Sequence, residues 1–170
     1  MNRAEFQRRS PVLIALLMSM ILTACGGAQH RENGPVNLTF TLENRSESLR
    51  QYRGRNTLLV LMRTSEMVSQ IYMSRLKQAY ETLQQQCTVL VLTVEPTEAP
   101  FVDTYRDIEQ LPFPLGVAAS EVVVGESALG IVPKIPQTYF IDKSGTVRNA
   151  VSGVLEPEAL RRAADRFFDR

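Results

Sequence analysis

The side chains able to do chemistry in this chain are few. Its 170 residues contain two cysteines, Cys25 and Cys87, and one histidine, His30. They form no cluster with metal-ligand spacing, so neither a metal nor another cofactor is expected. With Cys25 set aside for the lipid attachment argued below, Cys87 stands alone and no intrachain disulfide is available. A lone thiol is ordinarily a small apolar side chain packed where a strand begins. A reactive thiol is the alternative, but no neighbouring residue argues for a lowered pKa. The one stretch shaped for chemistry is 57–70, TLLVLMRTSEMVSQ. Leu58, Leu59, Val60, Leu61 and Met62 form a continuous apolar run, as a strand buried on both faces requires. Thr64 and Ser65 follow as helix-start residues, and Glu66 suits a first helical turn. Unpaired amides and a positive helix end at such a turn favour an anion or a thiolate. This turn holds no cysteine, histidine or lysine. Glu66 offers a base, but a single carboxylate without a partner ordinarily faces solvent. The shape of an active site is present without its reactive group.

The elements that position this turn follow from periodicity. Met67, Val68, Ile71, Tyr72, Leu76, Ala79, Tyr80 and Leu83 recur at helical spacing over 66–86, predicting one buried face. Residues 37–43 alternate as a half-buried strand, and 44–55 read as turn-rich, with Leu49 and Tyr52 as apolar plugs. Residues 88–94 form a second buried strand. A helix is predicted over 99–110 with Phe101, Val102, Tyr105 and Ile108 inward. A short strand interrupted by prolines follows over 111–117, then a short helix over 120–129 and a loop over 130–136. Residues 137–142 and 146–151 are strands joined by a tight turn at Lys143, Ser144 and Gly145. Glu156 and Pro157 open a last helix with Leu160, Ala163, Ala164, Phe167 and Phe168 inward. There is no internal repeat and no second domain.

The start of the chain carries an address. Arg3, Arg8 and Arg9 precede an apolar run over 12–22 that is too short for an ordinary transmembrane helix. The sequence Leu22-Thr23-Ala24-Cys25 resembles a bacterial lipobox. That resemblance implies a signal peptide over 1–24, cleavage before Cys25, and acylation of Cys25 with palmitate-type chains that attach the protein to a membrane. Gly26, with no Asp after the cysteine, points by analogy with lipoprotein sorting to the outer membrane of a bacterial envelope, facing the periplasm. Residues 25–36 then read as a flexible tether, with His30 a solvated linker residue. Residues 37–170 form one globular domain, consistent with 44% hydrophobic and 22% charged residues. A formal charge of +1 predicts no binding to nucleic acid.

The order of elements and three landmarks carry a family resemblance. The landmarks are Phe40-Thr41-Leu42 with Tyr52-Arg53-Gly54-Arg55, the run from Ile135-Pro136 to Ser144-Gly145, and Gly153 before the last helix. Over 40–168 the chain resembles the TlpA/ResA-like, membrane-tethered branch of the thioredoxin-like superfamily, which overlaps the redoxin and AhpC/TSA families. The resemblance implies an α/β, thioredoxin-like fold with a central mixed sheet flanked by helices. It implies a cis Ile135-Pro136 bond beside the reactive turn. It also implies a groove lined by Thr64, Ser65, Glu66, Lys134, Ile135, Pro136 and Gln137 that holds an extended polypeptide. Met67 and Gln70 fall where that family carries its two redox cysteines, and Glu66 falls on its tryptophan. The Thr-x-x-Cys of peroxiredoxin relatives is kept at Thr64 but ends in Met67, whose thioether has no ionisable proton. The expected function is therefore a non-catalytic binding or scaffold protein holding a periplasmic protein segment. The alternative is a thiol-disulfide oxidoreductase or thiol peroxidase using Cys87. That route needs an outside resolving thiol. It also places the thiol some 30 Å from the turn, at about 1.5 Å per helical residue.

Overall fold

The computed structural model describes residues 34–95 and 99–168. The segment expected to be a signal peptide, Cys25 and His30 lie outside the described residues. The chain runs through β1 (Thr39–Leu42), β2 (Arg45–Ser48), a 3-10 turn (Leu49–Tyr52), β3 (Thr57–Met62), α1 (Met67–Leu83) and β4 (Thr88–Thr93). It continues through α2 (Ala99–Ile108), β5 (Leu115–Ala118), α3 (Ser120–Val123), β6 (Gln137–Ile141), β7 (Val147–Ser152) and α4 (Pro157–Phe168). The strands form one mixed sheet in the order β2-β1-β5-β4-β3-β6-β7. β3 pairs in parallel with β4 and antiparallel with β6. This is the mixed sheet flanked by helices that the sequence predicts.

All six residues of β3 are buried, because each face of the strand meets its own core. Leu58, Val60 and Met62 pack with Tyr72, Leu76, Ala79 and Leu83 of α1 and with Leu160, Ala164 and Phe168 of α4. Leu59 and Leu61 pack on the other side with Leu90, Leu92, Tyr139, Ile141, Phe40 and Leu49. Phe140 anchors α4 through ring contacts of 5.3 and 5.8 Å with Phe167 and Phe168. A run of apolar residues is what a strand sandwiched between two layers needs. Among the described residues no helix is long and apolar enough to cross a membrane.

Several elements differ from the sequence reading. Residues 45–48 form an edge strand on β1, with Thr39 opposite Ser48. Its sequence, Arg-Ser-Glu-Ser, has no apolar alternation, which suits an exposed edge and hides it from pattern reading. The folded chain also begins before residue 37: Val36 is buried, and its amide donates to the Gly145 carbonyl at 2.7 Å. Phe101 and Ile108, predicted inward, are exposed, while Val102 is the core residue of α2. The pair lies one stripe away from Val102 on a helix that meets the core along a narrow line. β5 starts only at Leu115; Pro112 and Pro114 precede it, and proline cannot donate to a sheet ladder. α3 ends at Val123, short of the predicted 129, and Gly125 turns the chain away with φ +77°.

The β6–β7 hairpin is held by Asp142. One carboxylate oxygen accepts from Ser144 N at 2.9 Å, Ser144 Oγ at 2.6 Å and Thr146 N at 3.0 Å. The other accepts from Arg148 Nε at 2.6 Å. Burial works to raise the pKa of this carboxyl, but these hydrogen bonds and the Arg148 charge outweigh it and hold it below the usual range. A depressed carboxyl contributes stability above its unfolded pKa and loses it as pH falls through the folded one. Asp142→Ala is therefore expected to lower the unfolding free energy by about 1 kcal/mol at neutral pH. In urea titrations the gap from the parent should close as pH drops below the carboxylate range.

Candidate functional site

The turn after β3 is built by strand register. β3 and β4 run parallel with Met62 beside Thr93, so two residues further on Thr64 comes level with Glu95. The Thr64 amide donates to Glu95 Oε2 at 2.7 Å and its hydroxyl to the same oxygen at 3.1 Å. The Ser65 hydroxyl donates to Glu95 Oε1. Thr64 and Ser65 therefore do not cap α1, as the sequence suggested. Glu66 occupies the N-cap position without a side-chain cap bond, and its carboxylate pairs with Arg63 at 2.9 Å. Ser69, fully buried, accepts from the Arg63 amide at 3.2 Å, and Gln70 Nε2 donates to the Thr64 carbonyl at 3.1 Å. Side chains from α1 and from the end of β4 thus stitch the turn from both sides. The Thr64 amide, a donor suited to an anion, already has an internal one.

Glu95 escapes a reading of local patterns, because it looks like the first residue of a loop. A signal for it does exist. The 31-residue separation of Thr64 and Glu95 is the same offset that pairs Thr57 with Thr88 along the two apolar runs.

The second wall comes from β6. Leu61 pairs with Gln137, which sets Pro136 beside Met62 and Ile135 beside Arg63. The Ile135-Pro136 bond is cis. The Pro136 carbonyl accepts from Gly153 N at 2.7 Å, which brings Val154 to the same rim. Tyr72 OH and Thr138 Oγ1 lie 2.6 Å apart in the interior and tie α1 to β6. Burial pushes the Tyr72 phenol well up, against a smaller opposing effect of Thr138. The fold therefore gathers Thr64, Ser65, Glu66, Ile135 and Pro136 at one end of the sheet.

Met67, Val68 and Ile71, predicted to face the core, are exposed here, Met67 by 74%. The reason is helical phase. The buried line of α1 is Ser69, Tyr72, Met73, Leu76, Ala79 and Leu83. At about 100° per residue Met67 and Ile71 fall on the opposite side of the helix and Val68 on its flank. The apolar stripe read from the sequence is wider than the strip of α1 that packs against the sheet and α4.

Cys87 is at the opposite pole. It precedes Thr88, which pairs with Thr57 at the start of β3. The length of β3, about 20 Å, separates it from the turn. The thiol is 8% exposed and donates to the Leu83 carbonyl at 3.4 Å. Burial pushes its pKa up to about 12, with a smaller opposing contribution from a backbone hydrogen bond of Leu58. A cleft of about 280 Å³ opens at this pole, between Arg55, Gln84, Gln86 and Lys143. It lies at the carbonyl end of α1, where the helix dipole disfavours anions. No group of His, Cys, Asp or Glu suited to a metal occurs among the described residues.

Comparison with known proteins agrees with this architecture. The profile of the AhpC/TSA family matches residues 35–150. No curated protein matches the chain by sequence. Among solved structures, a thioredoxin-family thiol:disulfide interchange protein from Chlorobium tepidum superposes with a TM-score of 0.66 at 19% identity. That superposition covers 82% of this chain and 99% of that one. A DsbF homologue from Corynebacterium diphtheriae gives 0.67 at 17% identity, covering 79% and 87%. The pneumococcal exposed lipoprotein thioredoxin from Streptococcus pneumoniae gives 0.63 at 17% identity, covering 76% and 98%. These likenesses establish the thioredoxin-like fold.

Three outcomes follow from the geometry. Glu95→Ala strips the turn of its acceptor and should cost about 1–3 kcal/mol in denaturant unfolding. Cys87 should resist iodoacetamide at neutral pH until the protein is denatured. Its raised pKa also has a stability sign. Above the ordinary thiol value of 9.0 unfolded chains lose the proton and folded chains keep it, so stability falls as pH rises toward about 12. Cys87→Ala should flatten that decline between pH 9.0 and 10.0, below the range where the tyrosines join in.

Proposed function

Because this chain belongs to the AhpC/TSA family yet presents Met67 where its redox relatives carry a cysteine, we propose that it works by binding rather than by thiol chemistry. The ligand is an extended segment of another envelope protein, laid across the rim between the 63–66 turn and Pro136. The observation that carries this reading is the separation of thiol from turn. The turn has no thiol, and the one thiol among the described residues is buried at the other pole. A thiol held neutral at physiological pH is neither a nucleophile nor a metal ligand.

The rim suits a peptide. Met67, Val68, Ile71 and Val154 expose apolar surface at this end of the sheet, and Ile131, in the loop before Pro136, is 84% exposed. Isolated exposed apolar residues are ordinary, but a group of them toward one end of the fold suits an interaction site. The turn itself is braced by Glu95, Ser69 and Gln70, so little ordering is left for the ligand to impose. Location follows the leader: lipid on Cys25 holds the domain at the envelope, with the outer membrane facing the periplasm. A lipoprotein thioredoxin and a secreted thiol-disulfide isomerase among the similar structures support an envelope setting.

The test has two arms. Purified protein should show no insulin reduction and no peroxide consumption above buffer, with Cys87→Ser indistinguishable from the parent. Turnover that disappears in Cys87→Ser would overturn the proposal. A photoreactive residue at Gln70 in intact cells should capture a discrete protein, and Ile71→Glu should abolish that capture. Failure to capture any protein would remove the groove as the working surface.

A further inference from the structure

We propose that Met67 is a selective sulfoxidation site, and that its oxidation loosens the grip of the groove on its ligand. The release step rests on the binding reading above; the oxidation step does not. Among the described residues methionine occurs at 62, 67 and 73. Met62 is 0% and Met73 2% exposed, sealed in the core between β3 and α1, whereas Met67 is 74% exposed. Cys87 competes poorly: it is 8% exposed, its thiol donates to the Leu83 carbonyl, and burial keeps it protonated. Accessible sulfur in the described domain is thus concentrated in one atom. That atom sits on the first residue of α1, directly after the 63–66 turn and on the same helix as the exposed Val68 and Ile71.

The chemistry needs only a hydroperoxide. A lone pair of the Met67 Sδ attacks one peroxide oxygen. The S–O bond forms as the O–O bond breaks, and the departing hydroxide and the transferred proton leave as water. Sulfur is oxidised by two electrons and the peroxide reduced by two. The product exchanges a flexible apolar side chain for a polar, chiral one. At a buried methionine that change would damage the core. At Met67 it touches no core residue and alters only the rim, so the fold survives while an apolar contact with the ligand is lost. Methionine sulfoxide is enzymatically reducible, so the change is reversible.

The experiment treats the full chain with hydrogen peroxide and follows Met62, Met67 and Met73 by peptide mass spectrometry. Met67 should gain oxygen faster than Met62 and Met73 by on the order of tenfold or more, and unfolding in urea should equalise the three. Equal rates in the folded protein, or a slower Met67, would overturn the site. In parallel, photocapture from Gln70 should fall severalfold after peroxide treatment, with unfolding in urea unchanged in midpoint. The capture by a Met67→Leu variant, whatever its starting level, should no longer respond to peroxide. Rapid oxidation of Met67 with capture unaffected would overturn the release step. A chain that captures nothing before oxidation removes the binding reading and the release step together, while the peptide map still decides the site.

Discussion

The structure depends on one strand being buried on both faces. β3 separates two apolar cores, and every residue from Thr57 to Met62 is withdrawn from water. A strand in that position cannot slip by one residue, because a slip would exchange the side chains between cores of different shape. Its register with β4 and β6 is therefore fixed, and that register builds the site. Parallel pairing with β4 delivers Glu95 to Thr64, and antiparallel pairing with β6 delivers Pro136 beside Met62. Two residues far apart in sequence reach the turn at positions counted off along the strands.

At that turn the usual electrostatic opportunity has been spent internally. A strand-to-helix turn offers backbone donors to an anion. Here the Glu95 carboxylate takes the Thr64 amide, the Thr64 hydroxyl and the Ser65 hydroxyl. Hydrogen bonds to an ionised acceptor are stronger than neutral ones, so the arrangement is rigid without a substrate. The turn carries no thiol of its own. What it presents to solvent on the α1 side is apolar: Met67, Val68 and Ile71 lie off the buried line of the helix.

The two poles of the sheet have opposite characters. The pole at the end of β3 mixes the Arg63–Glu66 ion pair and the Glu95 bonds with exposed apolar side chains, and it holds no thiol. The pole at its start holds Cys87, together with Arg55, Lys143 and three glutamines around an open cleft. Exchange chemistry needs an accessible thiolate beside its substrate, and burial denies one to Cys87. Separation of the thiol from the turn is a property of the topology. Cys87 precedes β4 and the turn follows β3, and parallel strands place those points at opposite ends.

The apolar runs over 58–62 and 88–94, the helix they flank, the hairpin at Lys143 to Gly145 and the last helix are all legible in the residues. Each is local: period, turn chemistry and an apolar run report on neighbours in the chain. The absence of a thiol at the turn is legible for the same reason. Tertiary structure decided the rest. The polar edge strand Arg45–Ser48 has no pattern of its own and exists because β1 offers it an edge. The exposure of Met67, Val68 and Ile71 depends on which strip of α1 packs against the sheet and α4, and the apolar stripe in the sequence is wider than that strip. Glu95 matters only through a contact 31 residues away. A sequence records which side chains can be buried; which of them are is settled by how each element packs against its neighbours.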